Sequence, residues 1–239
     1  MKVNIDELYD TINSFPKLQK NDSLDFSCEQ CGKCCKFSAN VLLNPLDIFK
    51  ASEYLSLAPQ DFIDKYCEIR QDTQSKMPYV KFSKTEFGSK ICHFYASGKC
   101  AIHKAKPASC ALYPAGRIYN PETDGLTYFI QPSECGEKQQ SQKSKPAMSI
   151  SLLDWLDLHG IKDDEEFTVK WHEWLRNTAG KIAVIFADNT AFTQNVKNTL
   201  YSFLCVMLYL KYDTSIDFMP QFVKNCEETD ALIEMLLIS

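Results

Sequence analysis

CEQCGKCC, residues 28–35, places four cysteines within eight positions: Cys28, Cys31, Cys34 and Cys35. Two C-x-x-C steps share Cys31, and a second thiol stands directly beside Cys34. A hydrophobic core has no use for such spacing, whereas a metal does, because thiolates three positions apart turn back onto one ion. Gly32 sits inside the run, where a residue able to adopt positive φ lets backbone N–H groups and thiolates turn inward together.

The cysteines downstream extend the pattern. Cys92, Cys100, Cys110 and Cys135 bring the set to eight, leaving Cys67, Cys205 and Cys226 outside it. Cys205 lies in the apolar run YSFLCVMLYL and is expected to be a buried small hydrophobe, as are Cys67 and Cys226 after amphipathic stretches. Eleven cysteines is an odd number, which fits poorly with a full set of disulfides. At 239 residues and 45% hydrophobic, the chain has material for one large or two small domains without covalent staples.

Charge is unevenly spread. The net charge is −5, but residues 151–239 carry 14 acidic and 7 basic side chains, so the first 150 residues are slightly positive. Neither half has a basic stripe, and only Lys33 and Lys36 interleave with the first cysteine run. A nucleic-acid partner is therefore not expected. The acidic second half points instead to another protein as partner. The start, MKVNIDELYDTINSF, has no apolar signal region, and the apolar run from Leu200 to Leu210 is too short to span a bilayer. These features set the expectation of a cytoplasmic protein with no membrane partner. In that compartment dense cysteines read as metal-binding or catalytic.

Periodicity predicts a mainly helical α+β chain with a few short β-strands around the cysteine-rich module. Ile5, Leu8, Tyr9 and Ile12 mark a first helix ended by Pro16. Phe26 is expected to pack against the metal site. Asn44 and Pro45 open a helix to residue 56, and Pro59 opens another through Tyr66. Residues 78–82 and 91–95 alternate like strands, Gly98 marks a turn, and residues 120–125 join strands 116–119 and 126–130 in a hairpin. Residues 136–148 read as a linker or exposed helix. Helices then cover Ser151–Leu158, Glu165–Asn177 (with Gly180 at its end), Asn195–Tyr212 and Gln221–Leu237. Trp155, Trp171 and Trp174 are expected in the core, and Asp163–Glu166 as a solvated helix start. The organisation expected is a metal-binding module over 1–140 and a helical region over 141–239 packed against it.

The run CEQCGKCC, the segment CHFYASGKCAIHKAKPASCALYP (residues 92–114) and Cys135 together resemble the YkgJ-type cysteine-cluster (CxxCxxCC) family of zinc- or iron-chelating domains. The resemblance runs from about Phe26 to Gly136, and the stretch from Leu43 to Tyr66 resembles that family's helical insert. It implies that Cys28, Cys31, Cys34, Cys35, Cys92, Cys100, Cys110 and Cys135 are the metal ligands. Two departures stand out. The family's tyrosine and arginine in the middle segment are His103 and Lys106 here, and lysine lacks the bidentate fork of arginine. The proline that follows the family's last cysteine is missing before Gly136.

Eight thiolates can hold two tetrahedral zinc ions or one iron–sulfur cluster with ligands to spare. Adjacent residues direct their side chains apart, so Cys34 and Cys35 suit two neighbouring metals or two irons of one cluster. His93 and His103 are expected to support the site or lie at the surface, and His159 and His172 have no role. The leading reading is a metal-binding protein with a structural or regulatory centre. Two others stand beside it: a metalloenzyme similar to flagellin lysine N-methylases, and a metal trafficking protein. No Gly-rich nucleotide loop and no Ser/His/Asp set is evident, so no catalytic residue is assigned.

Overall fold

The computed structural model describes residues 11–26, 32, 34–35, 41–83, 91–132, 149–187 and 191–238. Cys28, Cys31 and Cys135, most of the first expected helix and the expected linker lie outside the described residues.

After a helical stretch over residues 11–14 come β1 (Lys17–Leu18) and β2 (Ser23–Asp25), then β3 (Leu42–Leu43) and helices α1 (Pro45–Leu55) and α2 (Pro59–Tyr66). Strands β4 (Cys67–Gln71) and β5 (Pro78–Phe82) follow, with the short hairpin β6 (Tyr95–Ala96) and β7 (Lys99–Cys100). A 3-10 turn (His103–Ala105) leads to α3 (Ala108–Leu112) and the hairpin β8 (Ala115–Asn120) and β9 (Gly125–Ile130). Strand β10 (Ser149–Ser151) opens the helical part: α4 (Leu152–Leu158), α5 (Asp164–Phe186), α6 (Gln194–Cys205), a π turn (Val206–Leu210) and α7 (Phe218–Ile238).

The strands form four small antiparallel sheets, ordered β1-β9-β8, β10-β2, β3-β5-β4 and β6-β7. In the second, Leu24 faces Ile150 and Asp25 faces Ser149. Two bonds extend this clasp into α4: Leu152 N–H donates to Asp22 O, and Leu153 N–H to Lys20 O (both 2.9 Å).

Two apolar cores result, and each draws on residues before and after the expected linker. The larger joins the sheet β3-β5-β4 and helices α1 and α2 (Leu43, Ile48, Phe62, Val80, Phe82) to the helical part through Phe167, Trp171, Trp174, Leu204 and Phe222. The smaller packs Leu24, Phe26, Ala111, Leu112 and Tyr128 around Leu152, Trp155 and Leu156. The three tryptophans are thus core residues, as expected. Among the described residues no helix is long and apolar enough to cross a membrane.

Several expectations are corrected. Residues 91–94 form a turn rather than a strand, because Cys92 N–H is drawn to Cys35 O (2.8 Å) and Tyr95 N–H folds back to Cys92 O (3.1 Å). Cys67–Gln71, expected only to follow a helix, is a full strand with five residues in register against β5. Helix α5 runs through Gly180 to Phe186, and a side chain at Gly180 would meet nothing within 4 Å. The end expected at 180 fails because apolar residues beyond it, Ile182 and Ile185, are fully buried and hold the helix together. The acidic start of α5 is not simply solvated: Asp164 is buried against Lys50 (2.5 Å), and Glu165 takes Lys20 (2.6 Å) and the Tyr128 hydroxyl (2.5 Å). Cys205 is half-buried rather than buried, whereas Cys67 and Cys226 are buried as expected.

Helix α5 ends on a buried cation. Lys197, 8% exposed on α6, donates to Ala187 O (2.7 Å) and Phe186 O (3.4 Å), where the last carbonyls have no helical partner. Lys197→Met keeps the stem and removes the donor. It is expected to cost about 1–2 kcal/mol in urea unfolding, and an unchanged midpoint would show that water caps the helix equally well.

Candidate metal centre

The described cysteines of the expected set come from three stretches of chain. Cys34 and Cys35 share one short turn, Cys92 precedes the β6-β7 hairpin and Cys100 ends it, and Cys110 lies in α3. Backbone contacts bring the first two stretches together. Besides the Cys92 N–H to Cys35 O bond, Gly32 is buried with φ +74, and a Cβ there would overlap the Tyr95 ring. Gly32 is therefore fixed twice, by the turn that the cysteine run needs and by the aromatic ring of β6 lying against it. The positive φ was expected from the sequence; the Tyr95 contact was not.

The hairpin turns on Ser97 and Gly98, both at positive φ, which suits a tight two-residue connection. After Cys100, Ala101 N–H returns to Phe94 O (2.7 Å). Phe94 is buried on Tyr66, Phe62 and Phe82 and anchors the hairpin to the larger core. Helix α3 is held at both ends. Asp47 of α1 accepts from Ala108 N–H (2.7 Å), and the Trp155 indole donates to Ala111 O (3.1 Å). Asp47 also accepts from Asn44 N–H (3.0 Å), closing the capping box at the start of α1. One buried carboxylate thus joins the helical insert to the cysteine-bearing helix.

The five thiols lie within one another's fields. The Cys35 thiol hydrogen-bonds Cys34 and brings its pKa down to about 6, against the effect of burial and with help from the Lys106 ammonium. That same bond, burial and the neighbouring Cys34, Cys92 and Cys100 push Cys35 well up. Burial first, then Cys92, Asp47, Cys34 and Cys100, raise Cys110 to about 12. The Cys34 and Cys35 side chains therefore meet, where adjacent residues were expected to diverge. The eight described cysteines carry no disulfide.

No group of three or more His, Cys, Asp or Glu side chains among the described residues is disposed to hold a metal ion. Three of the eight expected ligands lie outside those residues. An all-sulfur donor set with no carboxylate matches the preferences of zinc or iron–sulfur rather than of magnesium or calcium. Of the histidines, His93 is committed through Nε2, which donates to Ser83 O (3.0 Å) and lies 3.1 Å from Ser83 Oγ. His103 lies 6.1 Å, ring to ring, from His159, which packs on Trp155. Asp47 and Tyr95 were missed as organising residues. For Asp47 the sequence carried half the signal, since N-P-L-D is a capping box; its partner 61 residues away carried none.

Comparison with known families decides the identity of this part of the chain. Residues 27–146, half of the chain, match the family model CxxCxxCC, described as "Putative zinc- or iron-chelating domain". The chain belongs to the CxxCxxCC family. The CxxCxxCC segment starts just after β2 and ends just before β10, so the β2-β10 clasp brackets it. No curated protein and no solved structure matches the chain.

Proposed function

We propose that this CxxCxxCC protein holds a polythiolate metal centre on Cys28, Cys31, Cys34, Cys35, Cys92, Cys100, Cys110 and Cys135, with a structural or regulatory role. The observation that carries the reading is the docking of the first cysteine run onto the β6-β7 hairpin through Cys35, Cys92, Gly32 and Tyr95. It brings together thiols that the sequence separates by more than fifty positions. Zinc would be held in closed four-sulfur sites and add folding free energy, whereas an iron–sulfur cluster would add redox capacity. Because the Cys34 and Cys35 side chains meet, they do not call for two neighbouring metals, and both thiols can face one centre. A reducing, cytoplasmic setting fits a protein that must keep these thiols available, and the acidic helical half is the surface offered to a protein partner.

The test is metal and acid-labile sulfide analysis with an optical spectrum on protein purified without oxygen. Colourless protein with about two zinc ions per chain supports two four-thiolate sites. Iron with matching sulfide and visible absorption supports a cluster. Metal content near zero, or content unchanged in Cys34→Ser and Cys110→Ser, would sink the reading.

A further inference from the structure

Beside the cysteine stretches lies a cavity of about 420 Å³, walled by α1, the 3-10 turn and the end of α4. Its size falls in the range of small-molecule sites. Its charged groups are Lys50 and Glu53 from α1, Lys104 from the 3-10 turn and Lys106 directly after it, with His159 beyond α4. Lys50 already has a counter-ion, since its ammonium bonds Asp164 (2.5 Å) and Gly160 O (3.0 Å). Lys104 and Lys106 have no carboxylate within ion-pair distance among the described residues.

His159 adds an independent sign of an unmet partner. Its Nε2 is buried and has no hydrogen bond among the described residues. Burial, Lys106 and His103 hold its pKa down to about 4, so the ring is neutral at physiological pH. The wall thus gathers two ammonium groups with no carboxylate partner and an imidazole nitrogen with no hydrogen bond among the described residues, together with one exposed carboxylate, Glu53. A doubly charged anion in the cavity would accept charge-assisted hydrogen bonds from both ammonium groups. The cavity exceeds what a bare phosphate fills, and Tyr54 and Ile161 offer apolar surface for an organic remainder.

We propose that this cavity binds a soluble organic phosphate, its phosphoryl group held by Lys104 and Lys106 and its remainder lying against Tyr54 and Ile161. None of these residues is a proposed metal ligand, so the site stands or falls apart from the metal reading. The nearest link between the two is Lys106, whose charge reaches Cys34 and Cys100 as well as His159.

The test is calorimetric titration of the protein as isolated, at constant ionic strength, with inorganic phosphate, glycerol 3-phosphate and succinate. Saturable binding of both phosphates is expected, tighter for glycerol 3-phosphate and weaker for succinate. Lys104→Gln and Lys106→Gln should each weaken it ~10-fold, while Lys170→Gln, exposed on α5 and not part of the cavity wall, should not. The His159 ring resonances should shift on saturation. Lys104 is exposed, so its variant carries the test if Lys106→Gln does not fold. Absence of saturable binding, equal affinity in Lys104→Gln, or equal affinity for succinate would overturn the proposal.

Discussion

Trp155→Ala is expected to lower the free energy of unfolding by about 4 kcal/mol, the upper part of the range for emptying a buried aromatic site. Trp155 is 2% exposed and fills the smaller core between Phe26, edge-on at 5.5 Å, and His159 at 4.3 Å. The substitution opens a void among fully buried Leu152 and Leu156 and leaves Ala111 O without its indole donor. Trp155→Phe separates the two effects: it keeps most of the apolar contact and loses only the bond, for about 1 kcal/mol. Urea unfolding of both variants checks the split. Similar small losses in the two would mean that the core collapses around the missing ring. Because Trp155 holds the helix carrying Cys110, metal content of the folded Trp155→Ala protein should fall as well.

Asp47→Ala should cost about 2 kcal/mol at neutral pH and should also flatten the acid side of the stability profile. Asp47 is 6% exposed, and its removal leaves Asn44 N–H and Ala108 N–H without acceptors. Burial, only partly offset by those two hydrogen bonds, raises its pKa from 3.8 to about 6, with Asp164 adding and Arg117 subtracting. The folded state therefore binds the proton more tightly than the unfolded chain. Asp47's contribution is fully present below about pH 4 and is lost as pH rises through about 6, a change on the order of 3 kcal/mol. The variant lacks this group, so the difference between wild type and Asp47→Ala should shrink from pH 4 to pH 7. A difference that grows over that interval would show that the two N–H bonds outweigh burial.

The sequence was most legible where a local rule and the tertiary demand agree. Asn44 and Pro45 start α1, Ser151 caps α4 through Asp154 N–H (3.1 Å), and residues 120–125 turn the β8-β9 hairpin, each by chemistry contained within a few residues. The family pattern was equally legible, because cysteine spacing is a property of sequence itself. Legibility failed where distant partners overrode local pattern. ICHFY alternates like a strand, yet Cys35 O captures Cys92 N–H and bends it into a turn. Gly180 looks like a helix end, yet burial of Ile182 and Ile185 carries α5 onward. The cavity's groups were unreadable for the same reason: Lys50, Lys104 and His159 are strangers in sequence, brought together only by packing. The meeting of Cys34 with Cys35 depends on the backbone of a turn that spacing alone does not specify.

The β2-β10 clasp has a mechanical consequence. The CxxCxxCC segment leaves the helical body and returns to it through one doorway, where Ser23–Asp25 lies antiparallel to Ser149–Ser151. Its ends move as a pair. A rearrangement of the segment between them reaches α4 through this joint, through Phe26 on Trp155 and through the Trp155 indole on Ala111 O, while the larger core ties the same segment to α5, α6 and α7. Cutting the chain within it would leave both stubs held side by side by three facing residue pairs, Ser23 with Ser151, Leu24 with Ile150 and Asp25 with Ser149.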